Sequence, residues 1–324
     1  MILAGDIGGT NTRLALYGPD GDALVEGALA NRDFPTFDAA LARFLDDAKC
    51  PAITSAALAV AGPIFDRRVA MTNIGWTLDE AALSGTLGGA RMRLLNDLEA
   101  AAYGIVTLPD DDFRTLAPGT QIRRGNVAII GAGTGLGEAL LTWDGDTPVA
   151  IATEGGHADF APADETEFAL LEHLRRTHAH VSWEHVVSGP ALVWIYEFFR
   201  DTGRADEPAE LRASLDASIE PAVIITRSAL AEEFPICVRT LELFVRAYGS
   251  EAANLALKSN AFGGVYLTGG IAPDVLTGRW ADAFMRAFTA KGRYEDLMRR
   301  IPVRLVLCEK APLLGARAVA RASS

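Results

Sequence analysis

The residues of this chain that could do chemistry fall into three glycine-rich turns and a set of carboxylates. Residues 5–13 read GDIGGTNTR. The pair Gly8–Gly9 admits positive φ and lets main chain approach a ligand where a Cβ would clash. Successive N–H groups in such a turn form a concave anion nest, to which Thr10 and Asn11 add donors. Asp6, at the end of the preceding apolar run, suits Mg²⁺, directly or through water, because that ion takes oxygen ligands and keeps several waters. The same residues also suit a plain hairpin turn whose Asp and Asn satisfy backbone groups. Residues 130–138, IGAGTGLGE, repeat the pattern. The dinucleotide pattern GxGxxG fails there, because Leu136 stands where the third glycine belongs. The P-loop pattern fails for want of a lysine, and the residues downstream read as a strand, whereas both motifs open a helix. Gly133, Thr134 and Gly135 therefore read as a second nest. In LTGGIAP, Gly269 and Gly270 follow an apolar strand, where they serve a flat adenine ring or an ordinary strand-to-helix turn.

In LLNDLEAAA, Asn96 and Asp97 stand where a buried strand gives way to a helix. A carboxylate at a helix N-terminus is stabilised by the dipole. That makes Asp97 either an ordinary N-cap or an oriented base for a hydroxyl attacking a γ-phosphate. EGGHADFAP brings Glu154 and His157 around a Gly–Gly turn, and HVSWEHVVSGPAL offers Glu184. Carboxylates and an imidazole set around a polyol accept from and donate to several hydroxyls, which discriminates between sugars. Singly, each reads as a solvated charge or a turn residue; with Asn96 and Asp97 they read as one site. His173, His178, His180 and His185 also cluster, but no cysteine lies near, and they read as a solvated helix face rather than a metal site.

Alternating strand and helix patterns must position these residues. Residues 1–5 and 13–17 read as strands around the first glycine turn. Phe37, Leu41, Phe44, Leu45 and Ala48 make the stripe of an amphipathic helix over 37–49. SAALAVAG reads as a buried strand, Thr77 and Glu80 as a capping box opening a helix over 78–87, and RMRLLN as a strand. The polar stretch 109–126 reads as a crossover between domains. Residues 127–143 repeat the strand–glycine–strand unit about 125 residues after the first, which hints at two related domains. From about 165 to 260 the pattern is helical, with Leu241, Phe244, Val245, Tyr248, Ala252 and Leu255 at helical spacing. VRLVLC and a short helix follow later.

The chain has 324 residues, more than one typical core holds. Its net charge of −12 argues against general nucleic-acid or anionic-membrane binding, so a bound anion would have to be held locally. Cys50, Cys237 and Cys308 are odd in number and far apart, which suggests free thiols in a reducing compartment. Asp6 interrupts the start before an apolar signal core could form, and AALAVAG at 56–62 is far too short to span a membrane. These features suggest a cytoplasmic protein.

With GDIGGTN, AMTN, NDLEAAA, GAGTGLG, EGGHADFAP, VSGPAL and LTGGIAP in this order, the chain resembles the bacterial glucokinase family from Asp6 to APLLGA at 311–316. The resemblance implies an α/β, two-domain actin-like ATPase (ribonuclease H-like) fold, with an interdomain cleft that closes on its substrates. It implies a small domain of residues 1–108 with 302–324, a large domain of 109–301, and a homodimer. It also implies transfer from ATP, with Mg²⁺, to the 6-hydroxyl of glucose. Asp97 would then be the general base, and Asn96, Asp97, Glu154, His157 and Glu184 the sugar ligands, with Asn73 of AMTN near them. ATP would lie between Gly8–Asn11 and Gly133–Gly135, with Gly269 and Gly270 at the adenosine and Asp6 toward Mg²⁺. Related zinc-binding sugar kinases and repressors carry a cysteine cluster after the sugar-binding histidine, which this chain lacks, so zinc and that branch are excluded. The repressors also carry a DNA-binding helix pair before the first nest, which here begins at residue 6. The family's NDF reads NDL at Leu98. Two alternatives stay open: a kinase for another hexose or another phosphoryl donor, and a non-catalytic sugar sensor of the same fold.

Overall fold

The computed structural model describes residues 1–48, 52–71 and 73–323, so Cys50 and Thr72 of AMTN lie outside the described residues. Contact density divides the chain into two compact units. One comprises residues 1–112, 139–152 and 308–324, the other 113–138 and 153–307.

The first unit opens with β1 (Ile2–Ile7), β2 (Asn11–Tyr17), β3 (Ala23–Ala30) and α1 (Phe37–Ala48). Next come β4 (Ser55–Val60), β5 (Arg68–Met71), β6 (Trp76–Asp79), α2 (Glu80–Thr86), β7 (Arg91–Asn96) and α3 (Asp97–Ile105). One sheet runs in the order β3-β2-β1-β4-β7. Its first three strands pair antiparallel, and β4 and β7 join in parallel. Every residue of β4 is buried, as a parallel strand covered on both faces requires. On one side Phe37, Leu41 and Phe44 of α1 pack with Leu3, Leu14, Leu58 and Trp76. On the other, Leu313, Ala316 and Val319 of the C-terminal helix (Ala311–Ala322) pack on Ala4, Ala15, Ala57, Ala59 and Ala100. Small residues let backbones meet here. A Cβ added at Gly315 would fall 1.7 Å from the Ala100 carbonyl oxygen, and one at Gly104 would fall 1.9 Å from that of Ala311.

The expected capping box at Thr77 and Glu80 is not formed. Thr77 lies within β6, and the N-cap of α2 is Asp79, whose extended backbone and short carboxylate take the Ala82 N–H at 2.8 Å. Glu80 instead accepts from the Leu94 N–H at 2.8 Å and pairs with Arg67.

The chain continues through β8 (Phe113–Ala117), β9 (Val127–Ala132), β10 (Leu136–Asp144), β11 (Thr147–Thr153), α4 (Glu165–Leu174) and α5 (Gly189–Asp201). Then follow α6 (Ala209–Asp216), α7 (Pro221–Leu230), α8 (Pro235–Ser259), β12 (Gly264–Thr268), α9 (Ile271–Val275), α10 (Gly278–Thr289), α11 (Glu295–Met298) and β13 (Val303–Val306). The second sheet has the order β11-β10-β9-β12-β13-β8. Its first five positions repeat the plan of the first sheet, with β12 parallel to β9 and β13 parallel to β12. This is the duplication that the paired glycine units hinted at. The stretch 109–126 is more than a crossover: β8 lies inside it and pairs antiparallel with β13. In α8 the six residues of the apolar stripe are all buried, and Asn260 ends the helix in the left-handed region. Among the described residues no helix is long and apolar enough to cross a membrane.

Candidate active site

In the first unit, the strand register gathers the predicted residues. Ile7 pairs with Val60 and Val60 with Asn96, so the carboxyl ends of β1, β4 and β7 stand in one row. At one inter-strand spacing per step, the first glycine turn and the Asn96–Asp97 junction lie about 10 Å apart. Ligands of open α/β sheets bind beyond such carboxyl ends.

The first turn is pinned from an unexpected direction. Asn31, just after β3 and almost fully buried, donates through Nδ2 to the Gly8 carbonyl at 2.8 Å. Its Oδ1 accepts from the buried Thr12 hydroxyl, also at 2.8 Å. Gly8 and Gly9 do not have positive φ, contrary to the expectation from sequence. Gly9 is instead bordered by open space, with nothing within 4 Å of where a Cβ would sit. Gly9, Thr10 and Asn11 line a pocket of about 680 Å³ together with Asn31, Phe34 and Asn73, so Asn73 joins this turn. Asp6 is the next-to-last residue of β1, beside it. Burial pushes its carboxyl up to about 6, against the pull of the Arg13 guanidinium opposite.

At the β7–α3 junction the cap is Asn96, not Asp97. Asn96 Oδ1 accepts from Leu98 N–H at 2.9 Å and Glu99 N–H at 3.3 Å, and Glu99 returns a bond to the Asn96 N–H. This reciprocal box makes Asp97 the first helical residue, half-buried, with Oδ1 accepting from the Leu98 N–H at 2.8 Å.

The second unit gathers its predicted residues around the turn that follows β9. Glu184 sits in a single helical turn, Trp183–His185, and its Oε2 accepts from the Leu136 N–H at 2.9 Å. A Cβ at Gly135 would fall 2.4 Å from that same oxygen, so the glycine makes room for the carboxylate. Gly133 has open space around it and accepts from the Gly189 N–H at 2.8 Å, while Thr134 is exposed. Glu154 precedes a 3₁₀ turn, Gly155–His157, that His157 ends, and both are exposed. A Cβ at Gly156 would fall 2.0 Å from the Leu136 carbonyl oxygen, which fixes how closely this loop lies on the turn. Phe160 meets Trp183 edge-on at 5.0 Å, and Trp183 N–H donates to the Ala158 carbonyl, so the Glu154 and Glu184 loops brace each other. Gly269, at φ +85, lies against β9: a Cβ there would be 2.4 Å from the Ala132 carbonyl oxygen. Gly270 precedes α9 and borders open space.

The histidines are not simply a solvated face. His178 and His185 lie 4.5 Å apart, His185 stacks on Trp194 at 5.4 Å, and His173 meets Phe198 edge-on. Their rings extend the aromatic packing around α5.

Two further residues were not anticipated. Asn31 reads in sequence as a polar turn residue. Glu138 reads as a charge on a strand, yet it is buried beneath Gly155, where a Cβ would fall 2.0 Å from its Oε2. The signal was the carboxylate inside the apolar run GEALL.

Residues 3–323 match the glucokinase family model. The glucokinase of Nostoc punctiforme is 38% identical over 332 residues, covering 98% of this chain and 97% of the relative. The chain belongs to the glucokinase family. A crystal structure of glucokinase from an Antarctic psychrotroph superposes with a TM-score of 0.84 at 30% identity, covering 99% of this chain and 98% of the other. A glucokinase of the ROK family from Streptomyces griseus, solved with glucose and AMPPNP, superposes with a TM-score of 0.66 at 22% identity, covering 99% of each chain. The fold is thus the actin-like ATPase fold of these sugar kinases. In this glucokinase-family chain the residues present fit Mg²⁺. Asp6 offers a carboxylate whose burial a divalent cation would offset. Among the described residues no cluster of three or more His, Cys, Asp and Glu could form a closed metal cage. A lone carboxylate with water and phosphate oxygens is the ligand set this ion prefers.

Proposed function

We propose that the chain transfers the γ-phosphoryl group of ATP to the 6-hydroxyl of glucose, giving glucose 6-phosphate and ADP. Membership of the glucokinase family supports the reaction, and the glucose and AMPPNP of the Streptomyces protein fit the same pair of substrates. The observation that carries the mechanism is the division of labour at Asn96–Asp97. Asn96 caps the start of α3 in a box with Glu99, and Asp97 adds only one bond there, from the Leu98 N–H to its Oδ1.

In this reading Asp97 takes the proton of the 6-hydroxyl as its oxygen bonds to phosphorus and the bond to the β–γ bridging oxygen breaks. The electron pair leaves with ADP. Asn96 donates through Nδ2 to the sugar, and Glu154, His157 and Glu184 bind other hydroxyls, with Asn73 close to them. The N–H groups of Gly8, Gly9, Thr10 and Asn11 and of Gly133, Thr134 and Gly135 receive the phosphates. Gly269 and Gly270 border the adenosine. When bound at Asp6, directly or through water, Mg²⁺ would neutralise charge on the phosphates. The small and large domains are read as 1–108 with 302–324, and 109–301. The protein is read as a cytoplasmic homodimer; the free thiols of Cys237 and Cys308 fit a reducing compartment, and light scattering tests the dimer.

The test is a coupled assay of Asp97→Ala with glucose and ATP, beside calorimetric titration of glucose. Turnover should fall by roughly 10²–10⁴, the span of a general base, while glucose still binds. Turnover near that of the unmodified protein would overturn the assignment. Other hexoses, GTP and polyphosphate in the same assay check the substrates.

A further inference from the structure

Beneath the loop that carries Glu154 and His157 lies a pair of carboxyl groups that the mechanism above does not use. Glu138, on β10, is 2% exposed, and Glu251, on α8, is 0% exposed. The two carboxyl groups lie close enough that each perturbs the titration of the other. Each also has a buried oxygen, Oε1, to which no N–H or hydroxyl donates. Two buried carboxylates repel and cannot donate to one another, so a proton on one of them relieves the pair. The surroundings indicate which group holds it. Asn254 Nδ2 donates to Glu251 Oε2 at 2.8 Å, and the Lys258 ammonium lies 3.6 Å from Glu251 Oε1. Lys291 reaches the same cluster through Asn254 Oδ1, at 2.8 Å. Burial pushes the Glu251 carboxyl up as well, but the positive and donating groups converge on it and favour its charge over that of Glu138. Glu138 lies against Gly155 and interacts electrostatically with Tyr248 and Glu251 of α8.

Glu138 is tied to the loop above it by backbone as well. Thr153 Oγ1 donates to the Glu138 carbonyl at 3.0 Å, and the Gly155 N–H donates to Thr153 Oγ1 at 3.2 Å. Gly155 lies so close to Glu138 Oε2 that no side chain fits between them.

We infer that Glu138 is a positioning residue for sugar binding: its protonated carboxyl, beside the Glu251 carboxylate, is the floor on which the 154–157 loop rests, and loss of that proton releases the loop. The inference rests on the reading of Glu154 and His157 as sugar ligands. Burial, and then the neighbouring Glu251 charge, push the Glu138 carboxyl up to about 8, against the weaker pull of Lys258. Ionisation there leaves two anions side by side with Lys258 as the nearby cation, and Lys258 is mostly solvated. One group of this kind makes glucose affinity fall about tenfold per pH unit above its midpoint. Stability carries the same sign. The unfolded chain releases this proton near the ordinary 4.5 and the folded chain near 8, so the pair's stability is full below 4.5 and is lost as pH rises toward 8.

The experiment is calorimetric titration of glucose, without nucleotide, from pH 6.5 to 9.5, on the unmodified protein, Glu138→Gln and Glu154→Gln. Glutamine keeps the shape and the donor of the protonated acid. Glu138→Gln should bind glucose as tightly as the unmodified protein at pH 6.5 and lose the fall above pH 8. An alkaline fall unchanged in Glu138→Gln, or affinity already lost at pH 6.5 in a folded variant, overturns the inference. Glu154→Gln tests the underlying reading separately: unchanged affinity at pH 6.5 sinks the loop as a sugar site whatever Glu138 does. Infrared titration of the unmodified protein needs no variant. It should show a protonated-carboxyl band at pH 7 that disappears around pH 8 and is retained longer when glucose is bound; its absence at pH 7 refutes the proton on the pair.

Discussion

Gly135→Ala separates two roles that the sequence merges in one turn. By motif, Gly135 belongs to a phosphate nest; in the structure it is the residue that leaves room for Glu184. The new Cβ would lie 2.4 Å from Glu184 Oε2, roughly 1 Å inside ordinary van der Waals contact. Gly135 does not have positive φ, so alanine is not strained by its own backbone. The carboxylate must therefore swing away, and the Leu136 N–H, held at 2.9 Å, loses its acceptor. A hydrogen bond to a charged group is worth about 1.5–3 kcal/mol, and each 1.4 kcal/mol is about tenfold in rate or affinity. If Glu184 holds the sugar, kcat/KM for glucose should fall roughly 10- to 100-fold, with KM for ATP little changed. Steady-state kinetics with glucose varied at saturating ATP, and the converse, reads this directly. Gly133→Ala is the contrast: nothing lies within 4 Å of its added Cβ, so the melting temperature and glucose KM should hold while ATP KM rises. A Gly135→Ala enzyme with unaltered glucose kinetics and a raised ATP KM would refute the assignment of Glu184 to the sugar.

Two further outcomes test the scaffold of the first unit. Asn31→Ala removes the bond to the Gly8 carbonyl and leaves the buried Thr12 hydroxyl without its acceptor. It should cost about 1–3 kcal/mol of stability and raise ATP KM more than glucose KM, checked by thermal denaturation and kinetics. Gly315→Ala drives a methyl to within 1.7 Å of the Ala100 carbonyl oxygen. Overpacking against backbone should destabilise by about 3 kcal/mol, seen as a lowered melting temperature with unchanged KM values in the folded fraction.

The elements around the glycine turns were legible because their apolar runs are continuous and their punctuation is strong: β1, β4, β7, β9 and β12 all read directly. So did α8, whose stripe holds its period across its buried face. What escaped was whatever lacked an apolar signature. In β3 no residue is fully buried, and its half-buried positions include Gly27, so its alternation carries little apolar signal. β5 and β6 are four residues each, too short to show a period. β8 is half-exposed and sits in a polar stretch. Caps were displaced by one or two residues, to Asp79 and Asn96, because several capping types stood side by side and only backbone angles choose among them. The types of the site residues were readable, but not what the glycines beside them do. At Gly135 and Gly155 the crowding atom is a carboxylate from elsewhere in the fold, which no local pattern reports.

The packing of the C-terminal helix also has a consequence for how the protein is made. Its Leu313, Ala316, Val319 and Ala320 complete the layer over β1 and β4, and Ser55 Oγ donates to the Ala320 carbonyl at 2.7 Å across 265 residues of sequence. At roughly 5–20 residues per second, the ribosome takes on the order of tens of seconds to cover that interval. Through that time Ala4, Ala15, Ala57 and Ala59 form an apolar surface without its cover, open to a holdase or to a neighbouring nascent chain.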